Sequence, residues 1–153
     1  MLAVHTVAVT GHRDLGPAGA DTVRRVIREI APTLPRATWL CGGAVGADQL
    51  AAHELILHGA RLELVLAFPL DVQGARWSPS DRWRLEAQAA YAECVEVVQV
   101  RYRSDGYHRR NRRLVQRADM VLAFWRVGQQ GGTASTIREA HRRNVPVVVC
   151  PIA

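Results

Sequence analysis

Several short stretches of this 153-residue chain combine glycine with side chains able to meet an anion. The densest is Cys41-Gly42-Gly43-Ala44-Val45-Gly46-Ala47-Asp48. Glycines at the end of a strand let the backbone turn tightly and approach a ligand without a Cβ in the way. A helix that follows points its free amides and positive dipole end at the same spot, which suits a phosphate or carboxylate. Gly42, Gly43, Ala44, Gly46 and Asp48 are therefore candidate ligand-binding residues, although their spacing is neither that of a P-loop nor that of the dinucleotide fingerprint. The competing explanation is a tight strand-to-helix turn packed on glycine, with Asp48 merely complementing the helix dipole.

Gly131-Gly132-Thr133 repeats the logic, with a hydroxyl that either caps the next helix or donates to a phosphate. Two such loops in one α/β sheet argue for a shared anion site over two unrelated turns. Thr10-Gly11-His12-Arg13 adds a hydroxyl, an imidazole and a guanidinium, and Arg13 can bind phosphate with two parallel hydrogen bonds. In Tyr107-His108-Arg109-Arg110-Asn111, Arg110 and Asn111 either reach a ribose or phosphate or belong to a basic solvated helix face. Trp77 and Trp125 are expected in loops on the same side, where they stack on a base or pack in the core.

Other chemistries fall away. All 20 basic residues are arginine, so no lysine serves as P-loop cation, Schiff base or general base. His53 and His58 are five apart, roughly 140° around a helix, and no cysteines have zinc spacing, so no metal is expected. No G-x-S-x-G elbow is present, and no cofactor is implied. The net charge of +6 fits an anionic ligand or nucleic acid, but also a solvated arginine surface.

The elements that must position these loops alternate along the chain. Strands are expected at 4–9, 38–41, 62–68, 94–100, 120–124 and 145–150. Val23, Val26, Ile27, Ile30, Ala31 and Leu34 form one helical stripe that Pro35 stops. Further helices are expected from Gly46 to His58, over 80–91 with Ser80 as cap, over 107–118 and over 133–144. The segment 69–79 reads as a loop. This order predicts an α/β, Rossmann-like three-layer sandwich with a mainly parallel central sheet, as a single domain over 1–153. In such sheets ligands bind at the carboxyl ends of the strands, where the strand order reverses. The odd set Cys41, Cys94 and Cys150 suits free thiols, buried at positions 41 and 150, in a reducing cytoplasm. No apolar run is long enough to span a membrane and no secretory leader is evident.

Taken in order, T-G-H-R at 10–13, G-G-A-x-G-A-D at 42–48, R-N-x-x-x-V-x-x-A-D at 110–119 and G-G-T at 131–133 resemble the SLOG superfamily. The resemblance is above all to its YpsA-like members, and more distantly to DprA-like and LOG-type proteins. It spans nearly the whole chain and includes Phe68-Pro69 and Trp77 after the third strand. It implies a Rossmann-like fold that binds nucleotides or nucleotide-derived ligands. LOG-type phosphoribohydrolases carry P-G-G-x-G-T-x-x-E, and here Thr136 stands where that glutamate would be. Arg110 matches the LOG arginine, whereas Asn111 replaces its basic neighbour. A carboxylate is normally needed for N-glycosidic hydrolysis, which leaves Asp48 and Glu139 as catalytic candidates.

The function expected is binding of a nucleotide or nucleotide-derived phosphorylated small molecule, as in a sensor domain. The alternatives are a phosphoribohydrolase-like enzyme acting on a nucleoside monophosphate, and a single-stranded DNA-binding module, for which the aromatics are few and scattered. Pairing with a second copy is common in domains this small, and the residues leave it open.

Overall fold

The computed structural model describes residues 3–153. Six strands form one sheet: β1 (Thr6–Gly11), β2 (Thr38–Cys41), β3 (Arg61–Leu66), β4 (Cys94–Val97), β5 (Met120–Trp125) and β6 (Val147–Pro151). Their order is β4-β3-β2-β1-β5-β6, and every pairing is parallel. The helices are α1 (Gly16–Ile30), α2 (Ala47–Leu57), α3 (Leu70–Gln73), α4 (Pro79–Tyr91), α5 (Gly106–Arg117) and α6 (Gly132–Arg142).

The two-residue period of the strands splits the core between two faces. Val7 and Val9 of β1, Trp39 of β2 and Leu62 and Leu64 of β3 pack against Val23 and Ile27 of α1 and Ala51 and Leu55 of α2. The intervening Ala8, Leu40 and Val65 point the other way, onto Leu114 and Val115 of α5 and Ala140 of α6. The result is a three-layer α/β sandwich. Each fully buried valine or leucine contributes roughly 1.5–3 kcal/mol to holding it together.

Local chemistry moves several boundaries. α1 gives way at Ile30 to a 3₁₀ turn over Ala31–Thr33, earlier than Pro35, because Pro32 has no N–H to continue the ladder. Ser78, not Ser80, caps α4: its Oγ accepts from the Asp81 amide at 3.2 Å, and Pro79 fills the first helical position. The stretch after β3 is not all loop, since α3 occupies Leu70–Gln73 and carries Gln73 beneath the sheet's carboxyl edge. Cys41 is buried as expected, but Cys150 is only half-buried because β6 is an edge strand.

β1 lies between β2 and β5, so the chain leaves it in one direction through α1 and returns to its other side through α5. The loops after β1 and β5 therefore part company, and a crevice opens between them. No helix among the described residues is long and apolar enough to cross a membrane.

Candidate functional site

A cavity of about 400 Å³ occupies that crevice. Thr10, Gly11, His12 and Arg13 wall it from the end of β1, Ala44 and Asp48 from the start of α2, Arg110 and Asn111 from α5, and Gly131, Gly132 and Thr133 from α6. The four stretches singled out in the sequence thus meet at one place. Gly42, Gly43 and Gly46 stand behind the wall. A Cβ on Gly43 would strike Leu66 and Leu85, and one on Gly46 would strike the backbone of His12 and Arg13. Glycine at these positions is required by the close packing of the chain on itself.

The first glycine loop is held from the rear by glutamines. Gln73 Oε1 accepts from the Ala67 amide at 2.9 Å and its Nε2 donates to the Gly42 carbonyl at 3.1 Å. Gln88 Nε2 donates to the Gln49 carbonyl at 2.9 Å. The N-terminus of α2 is not open as expected. Its Ala47 amide donates to the His12 carbonyl at 3.1 Å and its Gln49 amide to the Ala44 carbonyl at 3.1 Å. The Asp48 carboxylate turns back to accept from the Ala44 amide at 3.3 Å. This loop therefore carries an anion of its own.

The second loop is the open one. Gly131 precedes α6 with φ +133°, a conformation natural to glycine, and no side chain caps the helix. Thr133 is not the cap; it lies within the first turn and is buried. The Ser135 amide donates to the Gly131 carbonyl at 2.9 Å, and the amides of residues 132–134 ahead of it have no acceptor in a preceding turn, so the positive helix end stays open. A Cβ on Gly131 would meet nothing within 4 Å, and one on Gly132 only Asn111 Nδ2 at 3.7 Å.

Around this helix end the side chains converge as donors. Arg110 is buried, with Nη1 donating to the Gly42 carbonyl and Nε to Asn111 Oδ1 at 2.9 Å. That second bond turns the Asn111 amino group toward Gly132. The exposed Arg13 guanidinium lies 5.3 Å from the Tyr107 ring centroid, and that of Arg110 lies 5.6 Å from it. Phe68 meets the same ring edge-on at 5.4 Å. Burial raises the pKa of the Asp48 carboxyl, an effect opposed by Arg110, the Ala44 amide and Arg13. His12 is held below the ordinary imidazole range, first by burial and then by Arg126. Its Nε2 accepts the Arg126 amide at 3.0 Å, which leaves its proton on Nδ1 and ties the loop after β1 to the loop after β5.

By sequence the chain matches no family model and no curated protein. By structure it is similar to the DNA processing protein DprA from Streptococcus pneumoniae, with TM-score 0.77 and 18% identity over 97% of this chain and 51% of that one. DprA from Helicobacter pylori, described for its single-stranded DNA binding mode, gives TM-score 0.75 and 20% identity over 97% of this chain and 66% of that one. The molybdenum cofactor binding protein from Rippkaea orientalis gives 0.65 and 18% over 97% and 77%. The chain shares the Rossmann-like α/β fold of these proteins. It spans 51% and 66% of the two DprA chains it matches.

Within this fold the two carboxylate candidates part. Asp48 lies in the cavity wall, whereas Glu139 faces a separate depression and is bonded to Arg143 and Arg142, each at 2.6 Å. The Arg143 bond leads the causes that lower the Glu139 pKa. Thr136, at the LOG glutamate position, bonds back to the Gly132 carbonyl at 2.8 Å. Neither tryptophan lines the cavity: Trp77 packs against the core, and Trp125 Nε1 donates to the Gln129 carbonyl at 2.9 Å. The aromatic wall is Tyr107, joined by Gln129 and Gln130, none of them among the ligand-binding residues expected from the sequence. The signal available was position: Tyr107 precedes Arg110 by three, on the same helix face.

Proposed function

We propose that the cavity binds a nucleoside phosphate or a related nucleotide-derived small molecule, with its phosphate at the N-terminus of α6. One observation carries this reading: an uncapped helix end, cleared of side chains by Gly131 and Gly132, opens into a cavity that also holds Arg110 and Arg13. Helix amides and guanidinium groups are the donors that phosphate recognition uses. The half-buried Tyr107 ring offers the apolar surface that a base would need, with the buried Val9 and Leu114 behind the cavity wall. Two proteins of similar fold are described by what they bind, single-stranded DNA and the molybdenum cofactor, which makes ligand binding the reading to test. Binding without turnover would make the domain a sensor, and its free cysteines suit a reducing cytoplasm.

The test is a thermal-shift screen of nucleoside mono- and diphosphates followed by calorimetry on the compounds that shift the melting point. Stabilisation by at least one nucleotide, lost in Arg110→Met, supports the reading. No shift across the panel rejects it.

Asp48 favours a second reading, cleavage at a ribosyl bond. A buried carboxyl in the cavity wall with a raised pKa is suited to proton transfer. Release of free base from a bound nucleotide, abolished in Asp48→Asn and unchanged in Glu139→Gln, is the expected result; no release from any bound nucleotide excludes it.

A further inference from the structure

α5 and α6 pack side by side, and a second depression of about 320 Å³ lies between them. Its walls are His108, Asn111 and Arg112 from α5 and Ser135, Glu139 and Arg142 from α6. Spacings of three and four put each trio on one helix face. His108 and Asn111 also line the main cavity, so the two hollows adjoin across these side chains.

The chemistry of the two hollows differs. The main cavity has a phenol ring and an open helix end. The second has a carboxylate, a hydroxyl, a carboxamide, guanidinium groups and the His108 imidazole, and no aliphatic side chain or tyrosine, phenylalanine or tryptophan ring among its lining residues. A base would find little to stack on there, and a lone phosphate would meet the Glu139 carboxylate. Mixed donors and acceptors around a polar hollow match the hydroxyls of a sugar. Glu139 is already oriented by Arg142 and Arg143, so its lone pairs are presented in a fixed direction.

We propose that the groove between α5 and α6 is a sugar subsite, and that the ligand is a nucleotide extended through its phosphate to a second, hydroxyl-rich unit. This rests on the reading of the main cavity as a nucleoside phosphate site. The phosphate link lies at Gly132 and Asn111, and the distal sugar crosses Asn111 and His108 to reach Ser135, Glu139 and the exposed Arg112.

The experiment is calorimetry on matched pairs: AMP with ADP-ribose, UMP with UDP-glucose, and GMP with GDP-mannose. For at least one pair the extended compound is expected to bind tenfold or more tightly than its monophosphate. Ser135→Phe, which fills the groove from α6, and Arg112→Glu, which reverses the charge on its other wall, are expected to remove that gain and leave monophosphate affinity within twofold of the parent. Circular dichroism identifies a variant that has failed to fold, and the other then decides. Equal affinity within every pair, or equal weakening of both members in the variants, overturns the sugar subsite while the phosphate site stands. Absence of binding by every compound overturns the phosphate site and the subsite with it.

Discussion

Asp48 and Arg110 flank Gly42: a Cβ there would lie 2.7 Å from Asp48 Oδ2 and collide with the Arg110 guanidinium. Both side chains are buried, with relative exposures of 6% and 5%, and neither can retreat without losing its bonds to the glycine loop. Gly42→Ala is therefore expected to cost about 1–3 kcal/mol, as overpacking does. Urea unfolding measures it, and a loss below about 0.5 kcal/mol, the scale of an ordinary surface change, would mean that the floor of the cavity yields.

The same pair makes a charge prediction. Removing Arg110 as Met leaves the Asp48 carboxylate buried without the cation that most favours its charge, a change expected to cost on the order of 3 kcal/mol at neutral pH. Adding Asp48→Asn removes the stranded charge and should recover much of that loss. A double variant as unstable as the two losses summed would show that the residues act independently.

Asp48 also sets a pH dependence. Its folded-state pKa is raised, so the folded chain holds the proton more tightly than the unfolded chain does. Its contribution to stability is complete below the unfolded value of about 3.9 and is lost as pH rises through the folded value. Asp48→Asn stays neutral throughout, so the stability of the parent relative to this variant should fall as pH rises from about 4 through the folded value. Parallel urea midpoints across that range would contradict the assignment.

His12 works in the opposite sense. Its folded-state pKa is lowered, so its contribution is present above the unfolded value of about 6.5 and is lost as pH falls through the folded value. Protonation of Nε2 sets an N–H against the Arg126 amide and breaks the tie between the two loops. Hydrogen exchange at Arg126 should quicken on acidification beyond its intrinsic pH trend, and His12→Phe should already be fast at neutral pH. Unchanged protection at Arg126 would show that the tie does not hold the loop.

Gly131 separates binding from folding. Its φ of +133° is strained for any other residue, while the space around it is empty. Gly131→Ala is expected to tilt the first turn of α6 and weaken nucleotide binding about tenfold or more, equivalent to about 1.4 kcal/mol. The melting temperature should fall by a few degrees, the scale of one strained residue without a steric clash. Calorimetry beside a thermal melt checks both, and undiminished affinity would remove α6 from phosphate recognition.

How much of this was legible beforehand varies by element. The alternation of apolar runs with the stripe from Val23 to Leu34 announced the α/β layers, because burial on two faces leaves a period that survives in one dimension. Strand order was not legible: nothing local tells β5 to lie beside β1 rather than beside β4. That one pairing opens the crevice and makes the candidate loops neighbours. Boundaries were lost where a short-range rule competed, as when Pro79 moved the cap of α4 from Ser80 to Ser78.

The two glycine loops show the division most directly. From residue types alone the chain determined that Gly42–Asp48 and Gly131–Thr133 each join a strand to a helix, since only glycine-rich turns of that kind interrupt such patterns. The sequence signal was stronger for the first. Tertiary structure decided otherwise, because an amide's availability depends on which distant group already accepts from it. At α2 the His12 and Ala44 carbonyls take those amides and Asp48 supplies the anion, whereas at α6 no side chain caps the first turn. The loop that looked the stronger phosphate cradle has its helix amides already engaged, and the open helix end belongs to the other.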